Sequence, residues 1–342
     1  MSSELLIAVP AAFLASLLLT AVIRKVALAR GVLDFPGSRS SHTLPTPRGG
    51  GVAIVLTVLA AIVILNSRGT MSHTLAAALL FGGTLVALVG LADDVRSASV
   101  ALRLTVQFAA ISWCVWSLGR LPPVNFGIAV VNLGAAGSLA AVIFLVWFLN
   151  LYNFMDGIDG IAGVEAVSVM VFAAILMSWQ GGMPSIALLA EVIAAAVLGF
   201  LVWNWPPAKI FMGDSGSGFL GFCVGAIAWM TIAEGRLSMW VWLILLGVFI
   251  VDATVTLLRR WLRGARLAEA HRSHAYQWLS RRCGSHLKVT LGILGVNVFW
   301  LDPLAFAATL RPAFGSLLAL IAWTPLVIVA WRTGAGVEEP VG

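Results

Sequence analysis

Four segments of the sequence place aspartates beside glycine or proline, between long apolar runs. They span residues 32–51, 90–99, 150–163 and 203–218. Grouped carboxylates in such surroundings are unfavourable unless a cation neutralises them. Mg²⁺ suits this setting because it binds one or two carboxylates, keeps several waters and is completed by substrate phosphates. The four segments therefore predict a magnesium site, with Mn²⁺ as the alternative ion.

A fifth polar segment, residues 259–282, is rich in arginine and carries two histidines. Arginine and histidine suit phosphate oxygens. His271 and His274 are three residues apart, so on a helix they would share one face. Zinc is the competing interpretation, but no third ligand with suitable spacing accompanies them. We therefore predict that His271, Arg272 and His274 contact phosphate, and that carboxylates, cation and basic loop together perform phosphoryl transfer.

The composition indicates a membrane protein. Apolar residues make up 60% of the 342 residues, charged residues only 11%, and mean hydropathy is +0.99. Soluble domains carry roughly 25% charged residues, so we predict an all-α polytopic membrane protein.

The first apolar stretch is too long for a signal-peptide core and has no basic residue before it, so we expect it to be retained. Eleven stretches are long enough to span a bilayer, near residues 5–23, 50–66, 73–92, 104–119, 135–152, 161–179, 185–203, 217–233, 239–258, 289–310 and 313–331.

The basic residues predict the orientation of these spans. If the spans alternate, 17 of the 21 lysines and arginines fall on one side. The positive-inside rule makes that side cytoplasmic, with the N-terminus periplasmic and the C-terminus cytoplasmic. The net charge of +6 is then an orientation signal, and we expect no nucleic-acid partner. We predict one integral membrane domain over residues 1–342, with cytoplasmic catalytic loops at 24–49, 93–103, 153–160, 204–216 and 259–288.

Four aspartates, at three places in the chain, have both a functional and an ordinary structural interpretation. Asp93 and Asp94 end the third span, where the helix dipole disfavours acids, so a functional role is favoured over a solvated helix end. Adjacent helical residues point about 100° apart, so the pair serves one site only if the helix frays or each contacts a different ligand. Asp214 precedes the eighth span and would also suit an N-cap. Asp252, near the end of the ninth span, is predicted to hold a basic residue or the following loop.

The segments FMDGIDG (154–160), FMGDSGS (211–217), LADD (91–94) and HRSH (271–274) resemble the polyprenyl-phosphate N-acetylhexosamine-1-phosphate transferases of glycosyltransferase family 4. The similarity spans roughly residues 30–290. The resemblance implies that undecaprenyl phosphate attacks the β-phosphorus of a UDP-N-acetylhexosamine and UMP leaves, with Mg²⁺, at the cytoplasmic face of a bacterial inner membrane. The late HRSHAYQ segment is more similar to members that initiate O-antigen synthesis, which often use UDP-N-acetyl-6-deoxyhexosamines, than to the pentapeptide transferase of peptidoglycan synthesis.

The resemblance also assigns roles to residues. It implies that Asp214 binds Mg²⁺, with Asp94 and Asp156 as further candidate ligands, and that one of the Asp93–Asp94 pair neighbours the lipid phosphate or acts as a base. It implies that Phe211 stacks on uracil, for which an anchor in the membrane interface is the alternative. The predicted catalytic residues are Asp93, Asp94, Asp214, His271 and His274, and the predicted substrate-binding residues are Asn153, Asp156, Asp159, Asn204, Phe211, Arg272 and Arg48.

Several alternatives stay open at this point. The peptidoglycan step is the nearest one. A transporter or lipid flippase needs ionisable residues near the bilayer midplane and repeated halves, whereas here the acids gather at one face and no repeat is visible. The sequence does not decide which sugar is transferred, which pathway the protein serves or whether it forms a homodimer. It also does not decide whether the lipid phosphate attacks directly or a covalent aspartyl intermediate forms first. Asp34, Arg39 and His42 are predicted either to cover the site or to be structural.

Overall fold

A computed structural model of the chain describes residues 2–36, 44–266 and 271–337. It is built almost entirely from helices, with two short antiparallel strand pairs. The helices are α1 (Ser2–Arg30), α2 (Gly51–Ser67), α3 (His73–Arg96), α4 (Val100–Leu118), α5 (Gly134–Phe154), α6 (Ile161–Gln180), α7 (Pro184–Asn204), α8 (Asp214–Ala233), α9 (Met239–Leu245), α10 (Gly247–Leu262), α11 (Ala275–Cys283), α12 (His286–Val296), α13 (Asp302–Leu310) and α14 (Gly315–Thr333). The strands are β1 (Leu33–Asp34), β2 (Thr46–Pro47), β3 (Val124–Asn125) and β4 (Val130–Val131).

The apolar helices confirm the predicted class of an all-α polytopic membrane protein. In the described part of the chain, nine helical segments are long and apolar enough to cross a membrane. The pair α9 and α10, bent by 78°, makes a tenth candidate, and α2 is a shorter apolar helix. Each of the eleven predicted stretches coincides with helix. Eleven spans and their orientation stay predictions.

The ninth predicted span is not one straight helix. It breaks between Leu245 and Gly247, where α9 ends and α10 begins. The residues on both sides of the break, 243–246 and 248–251, are apolar, so hydropathy alone gives no signal for the bend. A second irregularity is the π-helical turn Asn297–Leu301, which joins α12 to α13 within one long segment.

Helix α8 forms the centre of the bundle. Its residues from Ser215 to Thr231 are buried, and it packs against α2, α3, α4 and α5. The approach of α3 to the start of α8 depends on Gly90, because a Cβ there would lie 2.6 Å from the carbonyl oxygen of Asp214. This close crossing brings the end of α3, with its two aspartates, against the first turn of α8.

The segment before α2 is tied to the segment before α8 by backbone hydrogen bonds. The Phe211 N–H donates to the Pro47 carbonyl (2.8 Å), and the Gly50 N–H donates to the Phe211 carbonyl (2.9 Å). The Gly51 N–H donates to the Met212 carbonyl (2.9 Å). Arg48, inside this ladder, is thereby fixed beside the start of α8.

Candidate active site

A cavity of ≈ 300 Å³ lies where the segments before α2, after α5 and before α8 converge. Seven of the twelve predicted site residues line it, which is what the sequence motifs require if they form one site. These seven are Arg48, Asn153, Asp156, Asp159, Asn204, Phe211 and Asp214. The other lining residues are Asp34, Gly157, Ile158, Met212, Gly213, Gln277 and His286. Arg39 and His42 lie outside the described residues.

Asp94 caps helix α8 from the neighbouring helix. Its Oδ1 accepts the Asp214 N–H (2.8 Å) and its Oδ2 accepts the Ser215 N–H (3.0 Å). The backbone of Gly213 has a φ of +81°, and a Cβ there would lie 2.8 Å from Asp94 Oδ2, so this cap requires glycine. A carboxylate at a helix N-terminus is stabilised by the dipole. The capping role considered for Asp214 therefore falls to Asp94, and Asp214 is left to face the cavity.

Three carboxylates share two guanidinium groups at this point. Nη2 of Arg48 lies 2.7 Å from Asp214 Oδ1 and 2.9 Å from Asp94 Oδ1. Nη1 of Arg103 lies 2.5 Å from Asp93 Oδ2 and 3.9 Å from Asp214 Oδ2. Asp93 and Asp94 thus bind different partners, as adjacent positions on a helix require. Burial opposes the charge on Arg48, but the carboxylates of Asp94 and Asp214 raise its pKa above the ordinary value.

Asp156 is a cavity carboxylate without an ion pair among the described residues. It lies in the turn between α5 and α6 and is half-buried. Within the described ranges, no hydrogen bond or ion pair reaches its side chain. Burial first, and then the negative charge of Asp214, raise the pKa of Asp156 well above its usual value. A carboxylate in this condition is a suitable ligand for a cation.

The donor set fits Mg²⁺ or Mn²⁺ rather than zinc. Over the residues that the structure describes, no three His, Cys, Asp or Glu side chains are grouped to hold a metal by themselves. Mg²⁺ does not need such a cage, because one or two carboxylates, waters and substrate phosphates complete its shell. Four aspartates line the cavity: Asp34, Asp156, Asp159 and Asp214. Asp159 is engaged by the Ala208 N–H and His286, whereas Asp156 and Asp214 influence each other through their charges and are the candidate ligands. Both oxygens of Asp94, in contrast, are occupied by the α8 backbone.

Asp159 forms one wall of the cavity and is held on several sides. Its Oδ2 accepts the Ala208 N–H (3.0 Å) and lies 3.2 Å from Nδ1 of His286. The Thr290 hydroxyl donates to its carbonyl (3.0 Å). These contacts join the start of α6 to α12 and to the segment before α8. Asp159 is therefore a rigid wall residue of the cavity.

Asn204 acts mainly on the backbone around it. Its Oδ1 accepts the Gly160 N–H (3.0 Å) and its Nδ2 donates to the Ile210 carbonyl (2.9 Å). The side chain is buried. It lines the cavity, but its carboxamide is used to hold two site loops together. This role is positional, and a direct contact of Asn204 with substrate stays a prediction.

The HRSH segment is placed differently from the prediction. His271 and His274 do not share a helix face, because α11 begins only at Ala275. Their rings stack instead, with centroids 5.0 Å apart. His274 is 2% exposed and its Nδ1 lies 3.2 Å from Asp252 Oδ1. Neither histidine lines the main cavity, whereas Arg272 lines a neighbouring cavity of ≈ 580 Å³ that shares Asp159 with it.

Asp252 explains where α11 starts. Its carboxylate accepts the Ala275 N–H and the Tyr276 N–H, each at 2.9 Å, and the Thr256 hydroxyl at 3.1 Å. These bonds fix the first turn of α11 after His274, so the histidines stay in the preceding loop. The structure agrees with the prediction that Asp252 holds this loop.

Helix α11 in turn contacts the turn between α5 and α6 that carries Asp156, which we call the site hinge. The Tyr276 hydroxyl donates to the Phe154 carbonyl (3.0 Å) and fills the space that a side chain at Gly157 would need. Gln277, one residue later, lines the cavity. Asp252 therefore reaches the site indirectly, through α11 and this hinge.

Comparison with known proteins places the chain in a family. The sequence profile of glycosyl transferase family 4 matches residues 76–232. A probable undecaprenyl-phosphate N-acetylglucosaminyl 1-phosphate transferase of Bacillus subtilis is 30% identical over 287 residues, covering 82% of this chain and 79% of that protein. The chain belongs to glycosyl transferase family 4. A decaprenyl-phosphate N-acetylglucosaminephosphotransferase of Mycolicibacterium smegmatis is also 30% identical (84% and 77% covered). A phospho-N-acetylmuramoyl-pentapeptide-transferase of Shouchella clausii is 30% identical too (75% and 81% covered).

Three residues of this family-4 site lie outside the residues that the sequence motifs predict. Arg103 bridges Asp93 and Asp214, while Gln277 and His286 line the cavity. In the sequence, Arg103 is one of the 17 basic residues that predict the orientation of the spans, and nothing local distinguishes it from the others. Gln277 lies three residues after the HRSH motif, and this proximity is the one local signal. Nothing in the spacing of His286 connects it to Asp159, because that contact joins positions 127 apart along the chain.

The loop histidine gives a test based on pH. Burial lowers the pKa of His271 to about 4, and His274 and Arg260 act in the same direction, against Asp252. The unfolded value is about 6.5, so the unfolded chain binds this proton first as the pH falls. Stability is therefore expected to fall below pH 6.5. In thermal unfolding, His271→Gln should lose less melting temperature between pH 7 and pH 5 than the unmodified protein; an equal loss would contradict the assignment.

Proposed function

We propose that this protein transfers an N-acetylhexosamine-1-phosphate, or its 6-deoxy form, from a UDP-sugar to undecaprenyl phosphate and releases UMP. This would be the first step in synthesis of an O-antigen or another cell-surface polysaccharide. One observation carries the proposal: Asp214 and Asp156 face one cavity together with Arg48, at the polar end of an apolar helical bundle. The names of the Bacillus and Mycolicibacterium relatives support the same reaction class.

The main cavity would bind the donor. Asp214 and Asp156 would hold Mg²⁺, which when bound neutralises the charge of the diphosphate. Arg48 points into the same cavity and can donate to phosphate oxygens. Phe211 and Asp159 line it as well, and we propose that Phe211 stacks on the uracil ring and that Asp159 helps to hold the uridine. The chain's own contribution to the donor is therefore orientation and charge neutralisation, the terms that dominate phosphoryl transfer.

The acceptor would approach from the other side of Asp214. A small cavity of ≈ 20 Å³ lies there between α3, α4, α5 and α8. Asp93 and Arg103 line it together with the apolar Val86, Val89 and Leu149. An apolar wall beside a guanidinium suits a lipid that ends in phosphate. We propose that Arg103 binds this phosphate and that Asp93 orients Arg103.

The chemical step needs little proton transfer. A phosphate monoester has a second pKa of about 6, so the lipid phosphate is mostly a dianion at neutral pH. One of its oxygens attacks the β-phosphorus, the bond from that phosphorus to the bridging oxygen breaks, and UMP leaves with the electron pair. Asp93 and Asp94 are both engaged with donors. We therefore favour direct attack, with these residues as positioning groups.

The proposed location is the cytoplasmic face of a bacterial inner membrane, where UDP-sugars are available. The excess of basic residues in the loops at the site end supports it.

UMP release tests the proposed function. Purified protein in detergent with undecaprenyl phosphate should release UMP from at least one member of a UDP-sugar panel, and lose this activity with EDTA until Mg²⁺ or Mn²⁺ is restored. Omitting the lipid phosphate is the matched control and should also abolish release. No UMP and no lipid-linked product across the panel would reject the transferase proposal.

The relative from Shouchella clausii makes the peptidoglycan step the second candidate. Including UDP-N-acetylmuramoyl-pentapeptide in the same panel decides between them. UMP release from that donor alone would favour the second candidate, whereas release from a UDP-N-acetylhexosamine favours the first.

A further inference from the structure

We propose that Arg48 is a displaceable counter-ion: it neutralises Asp214 until the divalent cation and the donor bind, and then turns to the donor's diphosphate. The inference rests on the proposed function and adds a coupling between the two ligands. It concerns the order and mutual dependence of binding at the site, rather than the transfer reaction.

The contacts of Arg48 show that one guanidinium nitrogen holds two acids. Nη2 lies 2.7 Å from Asp214 Oδ1 and 2.9 Å from Asp94 Oδ1. The backbone of Arg48 is fixed, since Pro47 and Gly50 on either side are hydrogen-bonded to Phe211. The side chain is different, because 33% of it is exposed at the cavity. A fixed backbone with an accessible side chain lets the guanidinium change partners without moving the loop.

The two acids do not depend on Arg48 to the same degree. Asp94 keeps two backbone N–H donors from Asp214 and Ser215 when the guanidinium leaves. Among the described residues, the Asp214 carboxylate then keeps a side-chain contact with the acid Asp93 and one distant cation, Arg103, at 3.9 Å from its Oδ2. Displacement of Arg48 therefore leaves Asp94 satisfied and makes Asp214 Oδ1 available to another cation.

A divalent cation at Asp214 and a guanidinium on the same oxygen repel each other. Arginine stays charged at any working pH, so the repulsion is removed only when the guanidinium finds another anion. The diphosphate of the donor provides one, in the bidentate geometry that arginine prefers. Donor and cation should thus strengthen each other's binding, and the effect must be reciprocal.

Binding of Mn²⁺ tests this coupling without turnover. Mn²⁺ affinity is measured by electron paramagnetic resonance on the full-length protein in detergent, with and without UDP. In the unmodified protein we expect UDP to tighten Mn²⁺ binding. For Arg48→Gln we expect Mn²⁺ to bind roughly tenfold more tightly without UDP, and the tightening by UDP to shrink by a similar factor. Unchanged or weaker Mn²⁺ binding by a folded Arg48→Gln variant would overturn the proposal.

Two variants separate the local effect from other causes. Arg96→Gln removes one exposed positive charge from the end of α3 that carries Asp94, and it should leave Mn²⁺ affinity unchanged. Arg48→Lys keeps the charge and should bind Mn²⁺ as the unmodified protein does, which also keeps the test valid if the glutamine variant fails to fold. Tight binding by Arg48→Lys would refute the charge argument. If the unmodified protein neither binds Mn²⁺ nor releases UMP, the proposed function itself fails; if it does both, only the role of Arg48 is in question.

Discussion

Replacing Asp214 with asparagine is expected to lower UMP release by at least about 10²–10³-fold, because removing one preorganised electrostatic group at the reacting centre has effects of that size. Asp214 faces the cavity with Asp156, and its Oδ1 is the oxygen bound by Arg48. Asparagine has nearly the same shape but supplies no negative charge to a cation. The measurement is initial rates of UMP release at saturating donor and lipid phosphate.

The fold should survive this substitution. Arg48 keeps Asp94 as a partner, Arg103 keeps Asp93, and the α8 backbone keeps its cap. Melting temperature and elution volume in detergent should therefore stay close to those of the unmodified protein. Glu234→Gln, an exposed acid at the opposite end of α8, is the control and should retain full activity. Normal turnover by Asp214→Asn would remove this residue from the proposed metal site.

Replacing Asp252 with alanine is expected to destabilise the protein by about 3 kcal/mol, the size of effect seen when buried donors lose a charged partner. Two backbone N–H groups of α11 and the Nδ1 of His274 would lose their acceptor. Because Tyr276 links α11 to the Phe154 carbonyl at the site hinge, UMP release should fall as well. Thermal unfolding and activity measured on one preparation test both effects.

The matched control for this change is Thr256→Val. It removes one hydrogen bond to Asp252 but leaves the carboxylate and its contacts with α11 intact. We expect a much smaller loss of stability and nearly normal activity. If Asp252→Ala unfolds at the same temperature as Thr256→Val, the carboxylate is not what holds α11 in place.

The family-4 motifs were identifiable from sequence because their signal is local. Asp156, Asp159 and Asp214 each lie in a short polar stretch with glycine, between apolar runs. All three line the cavity, as their common motif context predicted. The role of each carboxylate within the cavity could not be predicted in the same way. Whether a carboxylate faces the cavity, as Asp214 does, or is occupied by backbone donors, as Asp94 is, depends on a contact between residues 120 apart along the chain.

The sequence by itself determined that this is an all-α membrane protein and located its helices, because a hydrophobic stretch of sufficient length is stable only in lipid or a protein core. It also identified the segments that form the site. Tertiary structure alone decided the break before Gly247, the start of α11 set by Asp252, and the pairing of Arg103 with Asp93. Each of these depends on which helices pack together. A side chain's role is then set by the donors and charges that other helices bring to it, and no local pattern of residues records that packing.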